Sequence, residues 1–228
     1  MVQRSVDQGI PAIAWDLFVP EFGVIFGYDD EKLEFHAKDV TKEGTLPYQK
    51  LGRGQVGELF VLTLNEFAEM DKKAALTGAL ELITHHARVR YHRHPKPPYQ
   101  NGLAGYDAWI GAFRRGAVDM FGNAYNAALV CDARAHAAAF LRHVQLRWNG
   151  DSPEERGIAR LAGEAAEHYQ AVFDALVLLP PLYPFPQGGN PNIAANAAYS
   201  IDVLERAKAA EERGVEVLER LLVVLRGA

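Results

Sequence analysis

Short apolar runs separated by turn-forming residues fill the first 66 residues of the chain, and this pattern predicts β-strands. The runs lie at residues 10–15, 23–27 and 59–64. Residues 28–32 have the composition of a hairpin turn, and residues 33–37 alternate between apolar and polar as a returning strand does. The segment is therefore predicted to form a small, largely antiparallel sheet.

Beyond residue 66 the apolar residues recur with the period of an α-helix. The first helix is predicted to follow an Asp71 cap, with one apolar stripe made of Leu76, Leu80, Ile83 and Ala87. The second covers residues 103–113, where aromatic side chains share one face, and Gly116 is a natural stop for it.

Three longer helices complete the helical part. One runs from about Asn123 to Trp148, and the next starts at a Ser152 cap, with Pro153 in its first position, and ends by Leu179. A proline-rich loop follows, because proline lacks the backbone donor that a helix needs. The last helix covers about residues 196–225, with glutamate and arginine opposite a buried side made of Ile201, Leu204, Val215, Leu218, Leu222 and Leu225.

These elements predict an α+β fold with two domains. Residues 1–66 would form the strand-rich segment, and residues 67–228 a bundle of about five helices. A small sheet of this kind exposes one face unless a helix or a partner covers it, so self-association into a homo-oligomer is a further hypothesis.

Composition narrows the classes of function. The formal net charge of −5 provides no overall positive field, so neither nucleic acid nor a membrane surface is an expected partner. No apolar stretch approaches the roughly 20 residues that span a bilayer, and the N-terminus lacks a signal-peptide pattern. Cys131 is the single cysteine of the sequence, which excludes an intramolecular disulfide and fits a cytoplasmic location.

A motif in the N-terminal segment resembles a known family. Gly9–Ala14 forms a G-x-P entry to a strand, Glu21–Asp29 contains V-I-F-G-Y-D, and Asp39 follows the next strand. These features resemble the second half of papain-like, bacteriocin-processing-peptidase-like domains, among them the BtrH-type acyltransferases of butirosin biosynthesis. The resemblance covers roughly residues 8 to 65 and implies a papain-like half-domain followed by a helical accessory domain.

The chain departs from the family pattern where the chemistry would occur. Glu21 stands at the family's histidine position, and Asp39 lies about where the third catalytic residue would be. The nucleophilic cysteine of the family belongs to a helix that precedes these strands, so the sequence shows neither a nucleophile nor a base for thiol chemistry. Cys131 lies in an alanine-rich helix and is expected to be a buried, inert thiol.

Two explanations follow from this departure. The chain is either a non-catalytic descendant whose cleft binds a ligand, or the C-terminal part of a longer protein whose upstream segment carries the nucleophile. The first predicts a binding or accessory protein for a small molecule or a peptide, with no cofactor. The second predicts a cysteine-dependent acyltransferase or amidase.

The predicted ligand-binding residues combine the family positions with aromatic side chains. The aromatic residues of the second helix, together with a tyrosine of the proline-rich loop, have the character of a pocket wall for an apolar or acyl-chain ligand. The alternative is that these aromatic rings simply pack in the core. The complete candidate set is Glu21, Asp39, Tyr106, Trp109, Phe113 and Tyr183.

Two other patterns allow different functions. Acidic and histidine residues recur at four- and seven-residue spacings on two helices, as in a metal-dependent bundle enzyme, although such pairs also form as surface contacts. The weak candidate ligands are Asp132, His136, His143, Glu164 and His168. Residues 85–96 form a dense basic run, which is either a solvated helix end or an anion-binding patch.

Overall fold

The computed structural model describes residues 1–64, 69–89 and 100–227. The chain divides into two compact units, Met1–Glu69 and Met70–Ala228, close to the boundary predicted at residue 66. The described part of the first unit is rich in strands and that of the second is helical, so the predicted α+β class is confirmed.

The first unit contains a short helix and an antiparallel sheet. Its described elements are α1 (Val2–Asp7), β1 (Ala12–Trp15), β2 (Phe22–Asp29), β3 (Glu34–Lys38), β4 (Glu43–Pro47) and β5 (Val61–Leu62). The strand order in the sheet is β4-β3-β2-β1-β5. The predicted hairpin is present as β2 and β3, whereas β4 and α1 were not predicted.

The two faces of this sheet have different environments. One face is buried around Ala14, Ile25 and Phe35, and Val2 of α1 belongs to the same apolar cluster. The other face exposes apolar side chains of β2, including Phe22 and Phe26. Self-association through such a face stays a prediction.

The second unit contains five helices within its described residues, in agreement with the predicted bundle. Their bounds are α2 (Lys72–Arg88), α3 (Leu103–Arg114), α4 (Met120–Arg147), α5 (Pro153–Leu176) and α6 (Ala194–Arg226). None of the helices that the structure describes combines the length and the apolar character needed to cross a membrane.

Side-chain caps explain where three of the helices begin. The Asp71 carboxylate accepts hydrogen bonds from the backbone N–H groups of Lys73 and Ala74, and the Ser152 hydroxyl accepts one from Glu155. Both caps were predicted from the sequence. Asp119 caps α4 in the same way, so α4 starts three residues earlier than expected.

The helices of the bundle differ in which neighbouring helices they contact. α5 packs against both α4 and α6, while α2 and α3 pack mainly against α6. Two apolar clusters fill these contacts, one around Leu161 and Leu218 and the other around Ile110 and Leu204. Because α4 packs against α5 and α3 packs against α6, a space remains between α3 and α4.

Gly102 sets the close approach between the end of α2 and the start of α3. Its φ of 57° and ψ of −142° form a combination that residues with a side chain avoid. A Cβ atom there would lie 2.4 Å from the carbonyl oxygen of His86 and 2.5 Å from that of Ala87. The glycine therefore allows α3 to begin directly beside α2.

We expect the substitution Gly102→Ala to lower the free energy of unfolding by about 2 kcal/mol or more, because the backbone conformation is strained and the Cβ clashes with two carbonyl oxygens. Urea denaturation followed by circular dichroism measures the change. Gly78→Ala is the matched control, since a Cβ at this exposed position in α2 meets nothing within 4 Å. That variant should gain about 0.5–1 kcal/mol, and an equal loss in both variants would contradict the interpretation.

Candidate functional site

A cavity of about 1080 Å³ lies in the helical unit, between α2, α3 and α4. Side chains of α5 and α6, among them Tyr169 and Leu218, also line it. The volume is slightly above the usual range for small-molecule sites, about 300–1,000 Å³. The cavity is therefore large enough for a ligand of the size of a lipid or a typical cofactor.

The wall that α4 contributes is apolar. Val130, Ala137 and Phe140 lie at spacings of seven and three residues, which places them on one side of the helix. The alanine at position 133 leaves space along this wall. The opposite wall includes Ile83 of α2, which the sequence predicted to be buried but which is 38% exposed. Ile83 thus faces the cavity rather than the core.

A partly buried ion pair lies where α3, α4 and α6 meet. Arg134 of α4 donates from Nε to Glu211 Oε2 at 2.8 Å and from Nη2 to Glu211 Oε1 at 2.6 Å. The Tyr106 hydroxyl of α3 donates to Oε2 of the same carboxylate at 2.6 Å. Because Glu211 is only 5% exposed, these three protein donors take the place of water in compensating its charge.

The surroundings of the pair keep Arg134 charged and the two neighbouring tyrosines protonated. Burial and the charge of Glu211 raise the pKa of the Tyr106 hydroxyl well above its ordinary value, so Tyr106 stays a donor. Burial and the same charge also raise the pKa of Tyr169. Burial acts to lower the pKa of Arg134, but the Glu211 carboxylate raises it further, and the guanidinium stays charged.

A second polar contact connects α3 with α4. The indole Nε1 of Trp109 donates a hydrogen bond of 2.8 Å to Asn123 Oδ1. Asn123 is 4% exposed and lines the cavity, and its Nδ2 group has no hydrogen-bond partner within the described residues. Because an indole nitrogen only donates, the amide oxygen must face Trp109 and the amide nitrogen is the group left over.

The arrangement favours noncovalent binding of a mostly apolar molecule. Apolar side chains supply most of the described wall, and Asn123 and Arg134 are among the polar residues that line it. Among the described lining residues there is no serine, threonine, cysteine or lysine that could serve as a nucleophile.

The structure separates the predicted aromatic residues into two groups. Tyr106 and Trp109 line the cavity, as a ligand-binding role requires. Phe113 and Tyr183 instead belong to the neighbouring apolar core, where their ring centroids are 6.1 Å apart. Tyr183 is fully buried and its hydroxyl lies 2.7 Å from Ser200 Oγ, so this ring fixes the loop after α5.

Glu21 and Asp39, the two candidate residues that come from the papain-like resemblance, belong to the strand-rich unit. Asp39 accepts hydrogen bonds from the backbone N–H groups of Val19, Thr41 and Lys42 and from the Thr41 hydroxyl. Burial acts to raise the pKa of Asp39, but these hydrogen bonds lower it below its ordinary value. Asp39 therefore stabilises a turn. The backbone carbonyl of Glu21 accepts from Asp16 N at 3.0 Å.

The candidate metal ligands are not gathered into a site. His136 Nε2 lies 3.7 Å from Asp132 Oδ1 on an exposed surface, and Glu164 pairs with Arg220. Within residues 1–64, 69–89 and 100–227, no group of three histidine, cysteine, aspartate or glutamate side chains is placed to hold a metal ion.

Only part of the predicted basic run is described. Arg88 forms a two-bond ion pair with Glu219 of α6, at 2.8 and 3.0 Å, so this cation is engaged within the bundle. Residues 90–96 of the run lie outside the described residues. The anion-binding alternative is therefore a prediction that the described residues do not test.

Sequence reasoning missed three of the polar residues at the cavity: Asn123, Arg134 and Glu211. Glutamates of α6 were expected on its exposed side, but Glu211 is buried. A signal was present, since Glu211 lies seven residues after Leu204 and four before Val215, on the apolar stripe itself. No comparable signal marks Asn123, because its burial depends on Trp109 of another helix.

Comparison with models of known protein families and with curated proteins finds no match for this chain. The resemblance of residues 8 to 65 to papain-like domains stays a prediction.

We expect Glu211→Gln to lower the free energy of unfolding by about 3 kcal/mol, because it leaves the Arg134 guanidinium without its charged partner in a largely buried position. Urea denaturation measures the loss. Glu205→Gln is the matched control, since Glu205 pairs with Arg114 on the surface with both side chains more than half exposed. The control should change stability by less than about 1 kcal/mol, and similar losses in both variants would refute the assignment.

Cys131 should react slowly with iodoacetamide in the folded protein. Cys131 is 6% exposed, and burial together with the nearby Asp132 charge raises the pKa of its thiol. A smaller fraction of the thiol is therefore in the reactive thiolate form than for an exposed cysteine at the same pH. Mass spectrometry of the alkylated protein at pH 8 measures the rate. The same protein unfolded in urea is the control and should react far faster, and equal rates would show that the thiol is accessible.

Proposed function

We propose that this chain is a noncovalent binding protein whose helical unit holds an apolar small molecule in the cavity between α2, α3 and α4. The observation that carries the proposal is the cavity itself: about 1080 Å³, with mostly apolar described walls and a few buried polar groups. Sites with this composition are typical of small-molecule binding. A molecule of the acyl-chain type matches the apolar wall of α4.

The hydrogen bonds that connect α3, α4 and α6 beside the cavity support the same function. Tyr106, Arg134 and Glu211 form a closed set of charge-assisted hydrogen bonds that joins three helices. Such a set fixes the positions of the walls before a ligand arrives, which lowers the ordering cost of binding. The described lining residues include no serine, threonine, cysteine or lysine, the usual nucleophiles of acyl transfer, and this supports binding rather than acyl transfer.

A fluorescent apolar dye without a carbonyl group, N-phenyl-1-naphthylamine, tests the proposal. We expect saturable binding to the full chain, with a dissociation constant that rises about tenfold in Ala133→Trp, because the indole fills the space along the α4 wall. Ala139→Trp is the matched control, since Ala139 is an exposed α4 residue outside the described lining. Absence of saturable binding, or an equal loss in the control, would refute the proposal.

A further inference from the structure

We infer that the Tyr169 hydroxyl and the free edge of the Arg134 guanidinium anchor the ligand by donating hydrogen bonds to a neutral oxygen that has apolar groups on both sides, as in a ketone or an ester. The inference rests on the proposed function and adds the anchoring residues and the chemical class of the ligand. It depends on two cavity-lining groups that retain unused hydrogen-bond donors.

Tyr169 of α5 presents an unpartnered hydroxyl to the cavity. The residue lines the cavity and is only 5% exposed. Its hydroxyl forms no hydrogen bond with the described residues, and yet it is not one of the unpartnered atoms that lack accessible surface. The hydroxyl is therefore accessible from the cavity, and an oxygen on a ligand would supply the missing partner.

Arg134 keeps donors that its ion pair does not use. A guanidinium has five N–H groups, and the two bonds to Glu211 take one from Nε and one from Nη2. The Nη1 group has no partner within the described residues, and the side chain is 24% exposed. Because the guanidinium is a planar fork, the edge formed by Nη1 and the second N–H of Nη2 points away from Glu211 and is free to donate to a ligand.

The two donors lie beside the same carboxylate. A Cβ atom at Gly214 of α6 would lie 3.0 Å from Cε2 of the Tyr169 ring, so the ring rests on the α6 backbone three residues after Glu211. The charges of Glu211 and Arg134 both act on the pKa of Tyr169, as such proximity requires. A carbonyl oxygen has two lone pairs, and one oxygen of this kind fits both donors.

The electrostatics of the anchor favour a neutral oxygen over a carboxylate. Burial raises the pKa of Tyr169, and Glu211 raises it by more than Arg134 lowers it, so a negative charge on the hydroxyl oxygen is disfavoured. A ligand carboxylate beside this hydroxyl would meet the same burial cost and the same repulsion. One guanidinium would then have to compensate two carboxylates, whereas a neutral oxygen leaves the ion pair balanced.

Apolar wall on both sides of Arg134 places the oxygen in the interior of the ligand. Val130 lies four residues before Arg134 and Ala137 three residues after it, on the same face of α4. Phe140 continues the wall about 9 Å further along the helix axis. A polar group at the end of a molecule would leave one of these stretches uncovered, but a ketone or an ester between two apolar parts covers both.

Three dyes with one naphthalene body test the inference on the full chain. They are 6-propionyl-2-(dimethylamino)naphthalene, its 6-propyl analogue and its 6-carboxylate analogue. After correction for partition between water and octanol, we expect the ketone to bind about thirtyfold more tightly than the propyl analogue, as one hydrogen bond from a neutral donor and one from a charged donor provide. The carboxylate should bind more weakly than the ketone.

Tyr169→Phe separates the two donors. It removes the hydroxyl, which makes no hydrogen bond with the described residues, and it keeps the ring on α6, so the fold should be retained. The preference for the ketone should fall about fivefold and not vanish, since Arg134 still donates. Tyr199→Phe is the matched control, because it makes the same change at an exposed tyrosine outside the described lining, and it should leave the preference intact.

The outcomes distinguish this inference from the proposed function. Equal binding of the ketone and the propyl analogue, or tighter binding of the carboxylate, overturns the neutral-oxygen anchor while the binding function stands. An unchanged preference in Tyr169→Phe, or an equal loss in Tyr199→Phe, overturns the role of Tyr169, and complete loss in Tyr169→Phe overturns that of Arg134. If Tyr169→Phe does not fold, the three dyes on the unmodified protein still decide. Failure of all three dyes and of N-phenyl-1-naphthylamine to bind overturns the proposed function itself.

Discussion

The buried carboxylate of Glu211 is the constraint on which the arrangement of the helical unit depends. It takes two hydrogen bonds from Arg134 of α4 and one from Tyr106 of α3, and so it connects α6, on which α3 packs, to α4, which packs mainly on α5. A buried charge must have such partners, since an unpaired one costs several kcal/mol. The positions of α3 and α4 relative to α6 are thereby fixed by electrostatics as well as by apolar packing.

The cavity follows from the composition of α4. One side of this helix packs in the core through Ala138 and Val144, while Val130 and Ala133 line the open space on another. Alanines and a valine do not fill the distance to α3, and the Trp109–Asn123 hydrogen bond crosses it at one end. Polar contacts thus hold open a space that larger apolar side chains would have closed.

The strand-rich unit shows a different use of a buried carboxylate. Both carboxylate oxygens of Asp39, a candidate residue that only the papain-like resemblance suggested, accept hydrogen bonds from three backbone N–H groups and one hydroxyl. A carboxylate with this many hydrogen bonds stabilises the loop around it. Its geometry is that of a structural residue, and the cavity proposed to bind a ligand lies in the helical unit.

The sequence by itself determined the kind and approximate extent of most elements, because apolar period and caps such as Asp71 and Ser152 are local signals. It also identified Tyr106 and Trp109 as candidate site residues, although it did not separate them from Phe113, which lies in the core. The cavity and its polar groups were decided only by tertiary structure. Whether Asn123 is buried, and which of its atoms lacks a partner, depends on a residue of another helix, and a periodic pattern along one helix contains no information about that contact.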